Sequence, residues 1–192
     1  MRAFQLAVSA VALTACAGLS SAQELYAQQH AKHYANSLAP YVVSPQEIVD
    51  RMLELANLRP GEMVYDLGSG DGRILVTAVS RYKAKAVGVE ISDELVKNTS
   101  DRLRKLGLEN DARVIHDDMR NVDLSPADVV TMYLATDANE ELRPNLEKYL
   151  KPGARVVTHD YAVPGWKAKV VDKDPDAHGH IIYLYTMPPV KK

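Results

Sequence analysis

Between residues 44 and 161 short apolar-rich segments alternate with longer amphipathic ones, and no other feature of this chain restricts its fold as much. The short segments are MVYDL, AVGVEI, RVIHDD, DVVTMYL and ARVVTHDY. Apolar runs without a two-residue alternation suit strands buried on both faces, as in a parallel sheet covered by crossover helices. Helical spacing appears between them: in GRILVTAVSRY, in a run capped by Ser92 that carries Leu95, Val96, Leu103 and Leu106, and in DANEELRPNLEKYL. Pro144 either sits in the first turns of that last helix or kinks it. Ahead of the first strand, SPQEIVDRMLELANLRPG has Ser44 as expected N-cap, Pro45 at the first helical position and Glu47 to complete a capping box. Beyond Tyr161 only AVPGW precedes KAKVVD and HIIYLYTM, too little for a crossover helix. Those two strands, joined by KDPDAHG, are expected to pair antiparallel.

The chain has 192 residues, which suits one α/β domain with a sizeable core. With 23 basic and 25 acidic residues and no basic run, it lacks the electrostatic footprint of a nucleic-acid binder. Residues 1–22 read as an export signal: Arg2, an apolar stretch from Ala3 to Leu13, then small residues ending Ser20-Ser21-Ala22. LTAC, ending at Cys16, resembles a bacterial lipobox and offers a competing processing site. The expected location is therefore exported, periplasmic or secreted, with a lipid on Cys16 as the one route to a membrane. Cys16 is the sole cysteine, so the chain forms no internal disulfide. Residues 23–39 read as a helix or tether, and 40–192 as the folded domain.

The loop VYDLGSGDGRI carries the chemistry. In an open α/β sheet, ligands bind at the carboxyl ends of the strands, where this loop lies. Gly68, Gly70 and Gly72 let the backbone approach a ligand closely. The spacing is GxGxG rather than the dinucleotide GxGxxG, no Lys-Ser/Thr pair follows as a P-loop requires, and Asp66 and Asp71 make the mouth acidic. That mouth suits a ligand with amino and sulfonium charges better than one with phosphates. Glu90 ends the second strand, placed to accept hydrogen bonds from ribose hydroxyls. At the third strand's end, Asp118 is placed for an adenine amino group and Met119 for packing on its ring; solvated loop acids are the simpler alternative for Asp117 and Asp118.

VYDLGSGDGR, Glu90 within GVEIS, and DDM together resemble motif I, the following acidic position and the adenine motif of class I S-adenosylmethionine-dependent methyltransferases. APYVVSPQEIVDRMLELANLRPGEMVYDLGSGDGR, with VVTMYL, LRPNL and PGARVVTHDYAVPGW, is further similar to the family that includes the ATP-synthase c-subunit lysine methyltransferase, over residues 39 to 187. The resemblance implies a Rossmann-like doubly wound sheet of seven strands in the order 3-2-1-4-5-7-6 with strand 7 antiparallel, and S-adenosylmethionine as cofactor. It assigns cofactor contacts to Tyr41, Asp66, Gly68, Ser69, Gly70, Asp71, Gly72, Glu90, Ile91, Asp118, Met119 and Tyr133. The helix usual between strands 5 and 6 is missing, and YLAT replaces the Asn/Asp-Pro-Pro-aromatic motif of amide and adenine methylation.

Displacement at a sulfonium methyl needs alignment and an unprotonated nucleophile. Candidates for the acceptor side are Tyr133, His159, Asp160, Tyr161 and Trp166. Tyr133 either walls the acceptor or is a core tyrosine; His159 either touches substrate or is held structurally by hydrogen bonds; Trp166 either lines the entrance or packs over the sheet's end. The resemblance favours a protein lysine as acceptor, with a small-molecule N- or O-methyltransferase and a non-catalytic adenosyl-binding envelope protein as alternatives. His178 with His180, and His30 with His33, lack carboxylate or thiolate support of recognised spacing, so no metal is expected.

Overall fold

The computed structural model describes residues 37–173 and 179–191. The export segment, most of the 23–39 stretch, Cys16, His30, His33 and His178 lie outside the described residues. Among the described residues no helix is long and apolar enough to cross a membrane.

The elements in chain order are α1 (Gln46–Leu55), β1 (Met63–Leu67), α2 (Arg73–Tyr82), β2 (Lys85–Glu90), α3 (Asp93–Lys105), β3 (Ala112–His116), β4 (Val129–Met132), α4 (Thr136–Tyr149), β5 (Arg155–His159), β6 (Trp166–Lys167), β7 (Val170–Lys173), β8 (Ile181–Thr186) and β9 (Val190–Lys191). Seven strands form one sheet in the order β3-β2-β1-β4-β5-β8-β7, and β6 pairs with β9 in a separate ribbon. The first five are mutually parallel, while β8 runs antiparallel to both β5 and β7. Once the two-residue β6 is set aside, this is the expected seven-strand order with the hairpin at its edge. The KAKVVD run divides: Lys167 belongs to β6, and the sheet strand starts only at Val170.

Successive strand residues face opposite sides, and the two faces carry separate cores. Val64, Val129 and Val157 pack with Ile48, Met52 and Leu53 of α1 and Leu75 and Ala78 of α2. Tyr65, Leu67, Val130 and Met132 pack on the other side with Leu142 and Leu146 of α4. Fully burying each such side chain contributes about 1.5–3 kcal/mol.

The helix ends carry one correction. Ser92 caps α3 as expected, its Oγ accepting from the Leu95 N–H at 3.4 Å, but α1 has no side-chain cap. Pro45 occupies its N-cap and its carbonyl accepts from Ile48 and Val49. The Ser44 hydroxyl is taken instead by His159, so the capping box expected of Ser44 and Glu47 does not form. Pro144 lies well inside α4, beyond its first turns and at an exposed position, where it denies the Glu140 carbonyl its helical partner. β4 stops at Met132, one residue before Tyr133, which frees that ring to turn over the end of the sheet. No helix lies between β5 and β7, as the short spacer requires.

Candidate active site

The loop after β1 is tied to β2: the Gly68 and Ser69 N–H groups donate to the Val89 carbonyl at 2.9 and 3.0 Å. Gly70 has φ +51° and its missing Cβ would lie 2.6 Å from the Tyr41 ring, so both conformation and close approach demand glycine. Its N–H donates to Glu90 Oε2 at 2.9 Å, while Glu90 Oε1 accepts from Ile91 and Ser92 at 2.9 and 3.0 Å. Three backbone donors thus hold this carboxylate in place at the end of β2 and leave it spare acceptor capacity.

Residues 37–44 cross the carboxyl end of the sheet as a strap. Tyr41, Val42, Gly68 and Tyr133 border both clefts beneath it, which are therefore the two ends of one trough. One end is lined by Ser44, Asp66, Ser69, Asp71 and Arg73. The other is lined by Glu90, Ile91, Leu95, Met119 and Leu134. A charged, small-residue end joined to an apolar end with a poised carboxylate matches an amino-acid group joined to a nucleoside. The buried Ser69 Oγ packs against Gly88 of β2, beneath the loop, with no hydrogen-bond partner among the described residues. An adenosyl cofactor would fit this trough, with Glu90 to hold its ribose and Asp66 to meet its α-ammonium.

The electrostatics of the mouth differ from a simple acidic cluster. Asp66 pairs in register with Thr131 of β4 and accepts its hydroxyl at 2.7 Å. Burial pushes the Asp66 carboxyl up to about 7, against the lowering effect of that hydrogen bond. Burial also raises Asp71, but hydrogen bonds and charge from Arg73, with Arg102 adding, outweigh it and hold Asp71 below the usual carboxylate range. Arg73 grips Asp71 through Nε and Nη2 and reaches the Ser44 carbonyl through Nη1 at 2.6 Å. The acidity expected of the mouth is therefore reduced: one acid is buried, the other paired.

Tyr133, His159, Asp160 and Tyr161 come together at the ends of β4 and β5. The His159 ring is fully buried, its centroid 3.9 Å from that of Tyr133, and its Nδ1 is 2.8 Å from Ser44 Oγ. Burial, assisted by His180 and opposed by Asp160, lowers His159 to about 4 and keeps the imidazole neutral. Tyr133 donates its hydroxyl to Asp160 Oδ2 at 3.3 Å, and burial followed by the Asp160 charge raises its own ionisation. Asp160 takes φ +59°, its N–H bonding the Ile181 carbonyl at 2.6 Å. Tyr161 is 38% exposed, its ring 6.4 Å from Tyr133, and its carbonyl accepts from Thr158 and from Asn139 of α4.

Three expected contacts fall elsewhere. Trp166 is fully buried, edge-on to Tyr185 at 5.4 Å with Nε1–H donating to Glu147 at 2.8 Å, so it is a core residue rather than an entrance. Asp118 borders neither end of the trough and is clamped by Arg120 at 2.9 Å, whereas its neighbour Met119 lines the apolar end. Gly72 serves as the left-handed N-cap of α2, where a Cβ would strike Thr99 at 2.4 Å. Conversely, Ser44, expected as a helix cap, joins the site, and Arg73, Asn139 and His180 enter it without an assignment from the sequence. Arg73 stands beside the glycine loop as a visible signal; the others are brought in by tertiary contact alone.

Residues 66–170 match the family model described as the ANTKMT methyltransferase domain. A protein-lysine N-methyltransferase of Saccharolobus islandicus is 46% identical over 150 residues, 77% of this chain and 93% of that one. The adenine nucleotide translocase lysine N-methyltransferase of Mus musculus is 33% identical over 132 residues, 69% of this chain but 57% of its own length. The crystal structure of an RNA methyltransferase from Salinibacter ruber with S-adenosyl-L-homocysteine superposes with a TM-score of 0.73 at 39% identity, covering 77% of this chain and 94% of the other. With the glycine loop, the Glu90 anchor and the seven-strand order already in place, the chain belongs to the ANTKMT methyltransferase family and is an S-adenosylmethionine-dependent methyltransferase.

Proposed function

We propose that the acceptor is the side-chain amine of a lysine in a protein. The carrying observation is Tyr133, which borders both ends of the trough, stacks on Tyr161 and donates its hydroxyl to the Asp160 carboxylate. The cofactor supplies a methyl group on a sulfonium, open to in-line displacement by a neutral amine. The protein's tasks are then to bind, align and desolvate the acceptor. Ring faces suit an approaching ammonium, and Asp160 offers an acceptor oxygen at their base. Desolvation between the two tyrosines favours loss of the proton, which Asp160 takes or passes to water. Exposed Tyr161 and Val43, 38% and 39% accessible, leave this end open to a protein chain rather than sealed around a small molecule. The lysine methyltransferase names of two relatives support the same reading.

We further propose, from their sequence pattern, that residues 1–22 direct export; cell fractionation and N-terminal mapping of the processed protein test it, including a lipid at Cys16. For the acceptor, the purified full chain is incubated with methyl-labelled S-adenosylmethionine and an envelope extract, and label is mapped by mass spectrometry. We expect methyl on lysine Nζ, lost in Tyr133→Ala. Label confined to RNA or to small molecules, or cofactor binding with no transfer, contradicts the lysine reading.

A further inference from the structure

Behind Tyr133, β5 and β8 bring together three groups drawn from two separate sequence segments. The antiparallel register sets His159 opposite Ile182, which carries His180 alongside Asp160. His159 Nε2 is 3.0 Å from His180 Nδ1, His180 Nδ1 is 2.9 Å from Asp160 Oδ2, and His159 Nε2 is 3.4 Å from that same oxygen. All three atoms therefore converge on one point. When His159 Nδ1 donates to Ser44 Oγ, His159 Nε2 and Asp160 Oδ2 both present lone pairs there, facing His180 Nδ1, and Asp160 Oδ2 also accepts from the Tyr133 hydroxyl.

We propose that His159, Asp160 and His180 form a binding site for a divalent transition-metal ion of the Zn²⁺ class. Bonds of about 2.0–2.2 Å in tetrahedral geometry separate donor atoms by roughly 3.2–3.5 Å, close to the spacing found. An ion about 2.1 Å from each of the three atoms would sit about 1 Å above their plane, with a fourth position left for solvent. Two imidazoles and one carboxylate suit zinc, cobalt or nickel rather than calcium or magnesium, which take oxygen donors. The surroundings are those of a built site. Ser44 Oγ fixes the His159 ring, the Ile181 N–H holds Asp160 Oδ1 at 2.9 Å, and Tyr133 reaches Asp160 Oδ2. His159 is buried while the side chains of His180 and Asp160 are 17% and 25% exposed, which gives an ion a way in. The expectation of no metal rested on the histidine pairs visible in the sequence, whereas this set is assembled by strand pairing. An ion here would occupy Asp160 and so compete with an acceptor amine; metal binding itself does not depend on what that acceptor is.

The test titrates the full chain with ZnCl₂ and with CoCl₂ by calorimetry and visible absorption, with S-adenosylhomocysteine binding as the check on folding. We expect one ion per chain at micromolar or tighter affinity, with visible bands from tetrahedral Co²⁺. Affinity should fall by at least about 100-fold in His180→Ala while S-adenosylhomocysteine still binds. Asp160→Asn, which keeps the shape, serves if His180→Ala fails to fold, and should lose the ion as well. No binding by the wild-type chain overturns the proposal. So does binding that survives in these variants but disappears in a His30→Ala, His33→Ala chain.

Discussion

The cofactor trough and the acceptor side next to it are the two ends of the site, and they are built by different means. At the cofactor end, a contiguous loop and the tip of one neighbouring strand do most of the work through backbone: Gly70 approaches Tyr41, and Glu90 is held by three N–H groups. At the acceptor end, side chains from the strap and from the ends of β4, β5 and β8 meet, and the contacts Ser44–His159, Tyr133–Asp160 and His159–His180 each join separate stretches of the chain. A site made of backbone tolerates few substitutions at its glycines. One made of converging side chains can change its acceptor while the fold stays intact.

If the two ends are independent of the core beneath them, a core substitution should move stability without altering either. Trp166→Ala is expected to cost about 3–5 kcal/mol in denaturant unfolding and to leave S-adenosylhomocysteine affinity unchanged while the protein is folded. A shift in affinity at a folded temperature would place Trp166 at the site after all.

Asp66 sharpens the contrast further, because the acid expected to meet the cofactor's ammonium is costly to the empty fold. Its native ionisation near 7 exceeds the unfolded value of 3.8, so the native state keeps a proton that the unfolded chain has released. Stability should therefore be undiminished by this group below about pH 4, fall as pH rises toward 7, and stay reduced above it. Asp66→Asn should remove that decline and stabilise the cofactor-free protein at pH 8 by about 2–4 kcal/mol. The same change should weaken the adenosyl ligand by roughly tenfold, since the ligand's ammonium favours the ionised carboxyl. Wild-type affinity should likewise rise between pH 6 and 8, and a flat profile would remove Asp66 from the ligand.

The smallest expected effect is at the junction of the two ends. Ser44→Ala removes the hydroxyl that orients His159 and should cost about 1 kcal/mol of stability. Helix α1 should be unaffected, since Ser44 does not cap it. Acceptor KM should rise with cofactor affinity nearly unchanged; the opposite split would show that Ser44 acts on the cofactor.

The same division separates what is legible in the sequence from what is not. The strands, the hairpin edge, the glycine loop and Glu90 follow from local patterns: apolar runs, spacer lengths, and glycines at positions of positive φ; the strand order follows from the family resemblance. Ser44 is misread because a Ser-Pro-Gln-Glu stretch satisfies the rules for a cap, and only the fold brings His159 within 2.8 Å of its hydroxyl. Trp166 resembles an entrance residue because it follows a Pro-Gly turn, yet burial against Tyr185 outweighs the turn. The acidity of the mouth is overstated by the sequence, since the neutralising partner of Asp71, Arg73, stands two residues away and its geometry depends on α2. His180 reaches the site through β5–β8 register, which spacing along one strand does not encode.

The claim on which the rest depends is that the Gly70 loop forms an adenosyl cradle. Calorimetric titration of the full chain and of Gly70→Val with S-adenosylhomocysteine tests it directly. We expect micromolar binding, about −8 kcal/mol, by the wild-type chain and a loss of at least about 100-fold in the variant, whose side chain would meet Tyr41 and strain a positive φ. No binding by the folded wild-type chain, or equal binding by the variant, would contradict the account.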